Sequence, residues 1–209
     1  MTTRFTRRCS EMDLNGKRII LGSGSPRRRE LLTAMNVEFT VDTGNTFEES
    51  YDPATPHEAV PALMSEGKSL GFHRPLEQDE ILITSDTMVL CHANDPEHSP
   101  ILGKPHSRED AVRMLRLLSG REHEVITAVT LRSHDRMETR CDSTAVVFKE
   151  LTDSEIDYYI DNCKPFDKAG AYGIQEWIGL IGITAIRGSY FNVVGFPTHM
   201  VYEMLMSFC

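Results

Sequence analysis

The sequence predicts a mixed α/β fold, and three observations carry that prediction. Short apolar runs end in glycine- and proline-rich turns. Segments with apolar residues at helical spacing stand between those runs. Two long alternating, β-branched runs, Glu122–Arg132 and Met137–Phe148, follow one another and read as a hairpin. Alternation of strand and helix favours parallel pairing and a hairpin requires antiparallel pairing, so the two together indicate a mixed sheet and not a doubly wound one.

The elements follow in order. Arg18-Ile19-Ile20-Leu21 is a buried strand running into the turn Gly22-Ser23-Gly24-Ser25-Pro26. Ser25 is a good N-cap and Pro26 suits the first helical position, where a missing N–H costs nothing. A helix over Arg27–Met35 follows, with Leu31, Leu32 and Met35 at helical spacing. Phe39–Thr43 reads as a strand, and Glu48, Glu49 and Asp52 form an acidic loop bounded by Pro53 and Pro56. His57–Gly71 reads as a helix with Val60, Leu63, Met64 and Leu70 as its apolar positions. Ile81–Thr84 is an apolar strand leading into Ser85-Asp86-Thr87, with Met88-Val89-Leu90 continuing beyond. His92–Pro100 is a polar loop and Gly103-Lys104-Pro105 a turn. Ser107 caps a helix over Arg108–Leu118 that Gly120 ends. Thr152 and Glu155 make a capping box for a helix over Asp153–Asn162. Asp167–Tyr172 is polar and glycine-rich, Ile178–Ile186 is apolar, and Thr198–Ser207 is a last helix.

Composition limits the function classes. The 209 residues suit one globular domain over residues 18–209, preceded by a polar, basic extension over residues 1–17 that reads as disordered. A net charge of −9 argues against a duplex nucleic-acid partner, which needs a broad basic face, yet leaves room for a small anion held by focused cations. No apolar run is long enough to span a membrane, and the N-terminus has no secretory signal. The five cysteines, Cys9, Cys91, Cys141, Cys163 and Cys209, are odd in number and widely spaced. That pattern points to reduced thiols and a cytoplasmic setting. The histidines show no zinc-binding spacing.

The strongest local signal for chemistry is Ser23-Gly24-Ser25-Pro26-Arg27-Arg28. A helix N-terminus presents unpaired N–H groups and a partial positive charge, Ser23 and Ser25 add hydroxyls, and Arg27 and Arg28 add forked donors for phosphate oxygens. The alternative is an ordinary cap followed by solvated arginines. Asp86, after an apolar strand, sits where the strand's carboxyl end would meet a crevice. It can hold a divalent metal or act as a base toward water; otherwise it only caps its own turn. Lys68 and Lys104 can neutralise phosphates or simply lie in solvent, and Glu48 and Glu49 can complete a metal site with Asp86 or form an exposed acidic loop. Gln175 carries both donors and an acceptor, which suits reading the edge of a base; the alternative is a plain glycine loop.

Taken together, these segments resemble the Maf-like family of nucleotide pyrophosphatases, linked to septum formation. The resemblance is carried by Leu21 to Arg28 with Glu30-Leu31-Leu32, Ser85-Asp86-Thr87 with Val89, Gly103-Lys104-Pro105, Asp167 to Gln175, and Gly188 to Gly195 with Pro197. It implies two lobes around a deep cleft, an architecture related to inosine-triphosphate pyrophosphatase, and a homodimer. It implies a nucleoside triphosphate as substrate, a divalent cation (Mg2+ or Mn2+) as cofactor, and cleavage to the monophosphate and pyrophosphate. By position, Asp86 would ready the attacking water, Arg27, Arg28, Lys68 and Lys104 would hold phosphates, and Glu48 or Glu49 would help Asp86 with the metal. Arg27, Thr87 and Gln175 look like those of members that prefer dTTP and UTP; another branch prefers 7-methyl-GTP. The sequence departs from the family at Glu176-Trp177-Ile178, which stand where the family usually has glycine after Gln175. A nucleotide-sensing regulator of cell division that binds without cutting is the rival reading. A kinase lacks support, since no Walker A loop or kinase loop is present.

Overall fold

The computed structural model describes residues 14–91 and 101–209. The polar loop at 92–100 and most of the N-terminal extension lie outside them. Leu14, at the end of that extension, is buried against the core. No helix among the described residues is long and apolar enough to cross a membrane.

The described residues form a seven-stranded mixed sheet in the order β2-β1-β3-β5-β6-β7, with β4 paired to β3. β1 (Arg18–Leu21) lies parallel to β2 (Phe39–Val41) and to β3 (Glu80–Leu90). β4 (Ile101–Leu102), β5 (Glu122–Arg132), β6 (Met137–Phe148) and β7 (Ile183–Arg187) pair antiparallel to their neighbours. The hairpin expected from the sequence is β5–β6, in register from Glu122↔Val147 to Arg132↔Met137.

The helices start where their caps require. The Ser25 side chain accepts from the Arg28 N–H at the start of α1 (Pro26–Ala34), and Ser107 accepts from the Asp110 N–H at the start of α3 (Arg108–Leu118). The Thr152–Glu155 capping box opens α4 (Asp153–Cys163). The helix expected over His57–Gly71 begins as a single 3-10 turn, His57–Ala59, and continues as α2 (Val60–Leu70). Its buried side is Val60, Pro61, Met64, Ser65 and Ser69, whereas Leu63 and Leu70 are exposed. The apolar run at 178–186 splits into a short helix, α5 (Trp177–Gly182), and the edge strand β7. Two more helices, α6 (Tyr190–Val194) and α7 (Thr198–Phe208), complete the chain.

Strand alternation divides the packing. Ile19, Leu21, Ile81, Ile83, Val129 and Leu131 meet Leu32 of α1 and Val201, Met204 and Leu205 of α7. Further along, Val89, Val125, Val146 and Phe148 meet α3, α4 and α5. The alternate residues of β3 face α2: Thr84 exchanges hydrogen bonds with Ser65, and Asp86 meets Lys68. Burying side chains of this kind is the main source of stability, at about 1.5–3 kcal/mol for each large aliphatic group.

One expectation is corrected by the register. Residues 81–84 and 88–90 belong to a single strand, so Asp86 lies in mid-strand and not at a carboxyl end. A crevice forms there for a different reason. β1 pairs with β3 only as far as Leu21↔Ile83, and β4 takes over only at Val89. The edge of β3 between them has no strand beside it, and Asp86, Thr87 and Met88 are half-exposed at that split.

Candidate active site

The loop after β1 fills part of the split. The Gly22 N–H donates to the Ile83 carbonyl at 2.8 Å, which continues the parallel ladder by one bond before the chain turns into α1. Arg28 then reaches inward. Its Nε donates to the Gly195 carbonyl (2.9 Å), Nη1 to the Ser85 carbonyl (2.8 Å) and to Ser23 Oγ (3.2 Å), and Nη2 to Thr87 Oγ1 (3.2 Å). Of five guanidinium N–H groups, four are thus taken by the protein. Burial lowers the Arg28 pKa to about 10, with Asp86 opposing that shift, so the group stays charged at neutral pH. The residue expected on the phosphates is chiefly the tie that fixes the serine-glycine loop to β3.

Arg27 points elsewhere. Its Nη1 donates to Asp167 Oδ2 at 2.7 Å, joining α1 to the Asp167 loop. Asp167 also accepts from Lys168 Nζ (2.7 Å), Lys168 Nζ pairs with Glu176 Oε1 (2.9 Å), and the Tyr159 hydroxyl donates to Glu176 Oε2. The same hydroxyl accepts the Gly173 N–H at 3.0 Å. Burial alone would raise the Asp167 pKa, but hydrogen bonds from Lys168 and Arg27 outweigh it and hold the group at about 2. Glu176, the departure from the family pattern, therefore anchors the loop that presents Gln175. Gln175 itself is exposed.

On the α2 side, Lys68 Nζ sits 2.6 Å from Asp86 Oδ1 and 3.0 Å from Glu49 Oε1. Burial raises the Asp86 pKa, and the Lys68 ammonium opposes that rise. The structure separates the two candidate glutamates, both exposed: Glu49 pairs with Lys68, whereas Glu48 makes no ion pair among the described residues. Two features of the sequence that drew no functional reading bring the acidic loop here. Asn45 Nδ2 donates to the Lys68 carbonyl, and the Phe47 ring lies so close over Gly67 that a Cβ there would meet it at 2.3 Å.

Lys104 is exposed and forms no ion pair among the described residues. Its turn is tied to the Asp167 loop by the Gly170 N–H, which donates to the Gly103 carbonyl at 3.0 Å. The expected site residues thus fall into two linked groups. Lys68, Asp86 and Glu49 stand on the α2 side. Ser23 and Thr87 each accept from Arg28, with Ser25 capping the same loop and Arg27 joining it to the loop that carries Gln175. Asp167, Lys168, Tyr159 and Glu176 were given no role from the sequence. The signal for the first two was present, inside the Asp167 to Gln175 segment.

Whether these residues fit a divalent cation can be tested on the donor set. Glu49 Oε1 and Asp86 Oδ1 converge on a single positive charge, the Lys68 ammonium. No cluster of three or more His, Cys, Asp or Glu able to hold an ion occurs among the described residues. Two hard carboxylates fit an ion such as magnesium, which keeps waters and draws its remaining ligands from substrate phosphates.

The family model described as "Maf-like protein" matches residues 18–208. A protein of Christiangramia forsetii named dTTP/UTP pyrophosphatase is 46% identical over 192 residues, 92% of this chain and 94% of its own. Proteins of the same name from Porphyromonas gingivalis W83 and Bacteroides fragilis NCTC 9343 are 43% and 41% identical, over 94% and 92% of this chain and 96% and 97% of theirs. The chain belongs to the Maf-like family.

Proposed function

We propose that this protein is a nucleoside triphosphate pyrophosphatase that hydrolyses dTTP and UTP to the monophosphate and pyrophosphate. The observation that carries the reading is the pairing of Asp86 with Lys68 in the split of the sheet, beside an N-capped loop whose arginine is locked in place. A buried carboxylate held by an ammonium in this way is suited to accept a proton from water.

The triphosphate lies along the Ser23 to Arg28 loop, where the α1 N-terminus favours negative charge. Arg27 and Lys104 supply further cations, and Arg28 keeps the loop in shape. Asp86 accepts a proton from water as the water oxygen bonds to the α-phosphorus. The bond from the α-phosphorus to the bridging oxygen breaks, and its electron pair leaves with pyrophosphate. Lys68 holds Asp86 in orientation and offsets charge as it builds up. Glu49 and Asp86 would hold the divalent cation, which when bound neutralises charge on the phosphates. Gln175 faces the base. The homodimer implied by the family resemblance is read by sedimentation equilibrium.

The test is a panel of nucleoside triphosphates incubated with magnesium or manganese, with pyrophosphate and orthophosphate both measured. Turnover of UTP and dTTP with pyrophosphate as the product supports the reading. Orthophosphate as the sole product, or binding without turnover, overturns it, the latter in favour of a regulator.

A further inference from the structure

The carbonyl of Lys68 is satisfied from outside its own helix. α2 ends at Leu70, and a helix leaves its last carbonyls without helical partners. The Phe72 N–H, which would close the turn on Lys68, goes instead to the Ser69 carbonyl at 3.4 Å. The Asn45 side chain takes its place, and Nδ2 donates to the Lys68 carbonyl. Asn45 Oδ1 accepts the Phe47 N–H at 2.7 Å, which turns the acidic loop back toward α2. The seat is close. The Thr46 N–H donates to the Gly71 carbonyl at 2.9 Å, and a Cβ on Gly71 would lie 2.7 Å from Asn45 Oδ1. Further along the same loop, Glu49 Oε1 meets Lys68 Nζ at 3.0 Å, and Lys68 Nζ meets Asp86 Oδ1 at 2.6 Å.

One amide thus fixes both the backbone that carries Lys68 and the loop that carries Glu49. A carboxylate could not do the same, because it has no donor for the carbonyl, and an aliphatic side chain has neither donor nor acceptor. We propose that Asn45 is a positioning residue that keeps Glu49 in register with Lys68 and Asp86, and thereby sets the affinity of the two carboxylates for a divalent cation. This rests on the cation role given to Glu49 and Asp86 in the function proposed above.

The experiment titrates Mn2+ alone into the full chain and follows the free ion by electron paramagnetic resonance, in the wild type, Asn45→Ala, Glu49→Gln and the double variant. Residues that hold metal ligands in place change affinity by about ten-fold or more when lost, so Asn45→Ala should raise the Kd for Mn2+ about ten-fold. Because Asn45 acts through Glu49, the same change made on Glu49→Gln should add little. Asn45→Ser keeps an acceptor for the Phe47 N–H but is too short to reach the Lys68 carbonyl. It should weaken binding in the same sense, and it carries the cycle if Asn45→Ala does not fold. An unchanged Kd in the Asn45 variants, an equal loss with and without the Glu49 carboxylate, or a wild type that takes up no Mn2+ would overturn the inference. Pyrophosphate release from UTP, measured on the same four proteins, separates the two readings. A wild type that binds Mn2+ with this dependence on Asn45 yet releases no pyrophosphate from any nucleotide defeats only the function reading. Pyrophosphate release with additive losses in the Mn2+ cycle defeats only the present inference.

Discussion

At the scale of single residues, Asp86 is governed by two opposed effects. Burial disfavours its charge and Lys68, 2.6 Å away, favours it, with burial the larger. The result is a carboxylate that is a better proton acceptor than an exposed one. Asp86→Asn should lower kcat by about a hundred-fold or more, measured at saturating UTP. The pH profile gives a second check. A raised pKa means that the base form is lost at a higher pH on acidification than for an ordinary aspartate. Lys68→Met removes the opposing charge and should shift the acid limb of kcat/KM further toward neutral pH; a limb that does not move would separate Lys68 from Asp86. Asp86, Lys68 and Lys104 were legible in the sequence as residue types in short motifs. Their partners were not, because Glu49, Lys68 and Asp86 meet only once α2 is laid on β3. For the same reason the sequence could not divide labour between Arg27 and Arg28, adjacent residues whose guanidiniums go to opposite tasks.

At the scale of elements, close backbone approaches set the site. A Cβ at Gly179 would lie 1.9 Å from the Ile174 carbonyl oxygen, so α5 rests directly on the backbone that leads to Gln175. Gly179→Ala must push one of them away. Overpacking of this kind costs about 1–3 kcal/mol, or roughly 3–10 °C in Tm for a chain of this size, and the displaced Gln175 should raise KM for UTP. Gly67→Ala should act on the opposite wall by lifting Phe47 and with it Glu49, lowering turnover with a smaller loss of stability. Calorimetry and steady-state kinetics on the two variants check both statements. Caps and the β5–β6 hairpin could be read from sequence because they are local: Ser25, Ser107 and the Thr152–Glu155 pair act within one turn. The location of the crevice was not local. It depends on where β1 stops and β4 starts along β3, a matter of register between segments distant in the chain.

At the scale of the whole molecule, the serine-glycine loop and the Asp167 to Gln175 loop are two walls joined by the Arg27–Asp167 pair. A nucleotide that engages both walls should hold the folded state together. A UTP analogue with a methylene bridge between the α- and β-phosphates resists scission there and should raise Tm. At a hundred times its Kd the expected stabilisation is about 2.7 kcal/mol, several degrees for this size of chain. No shift with UTP analogue and magnesium would mean that the two walls do not share a ligand. A net charge of −9 made a duplex nucleic-acid partner a poor prospect from composition alone. Arg28 and Lys68 meet at the split through the fold and not through the composition.

The most direct measurement is hydrolysis of UTP in water enriched in oxygen-18, with the products resolved by phosphorus NMR or mass spectrometry. Attack on the α-phosphorus by water activated at Asp86 places the label in the monophosphate and leaves pyrophosphate unlabelled. Label in pyrophosphate, or release of orthophosphate alone, would contradict it.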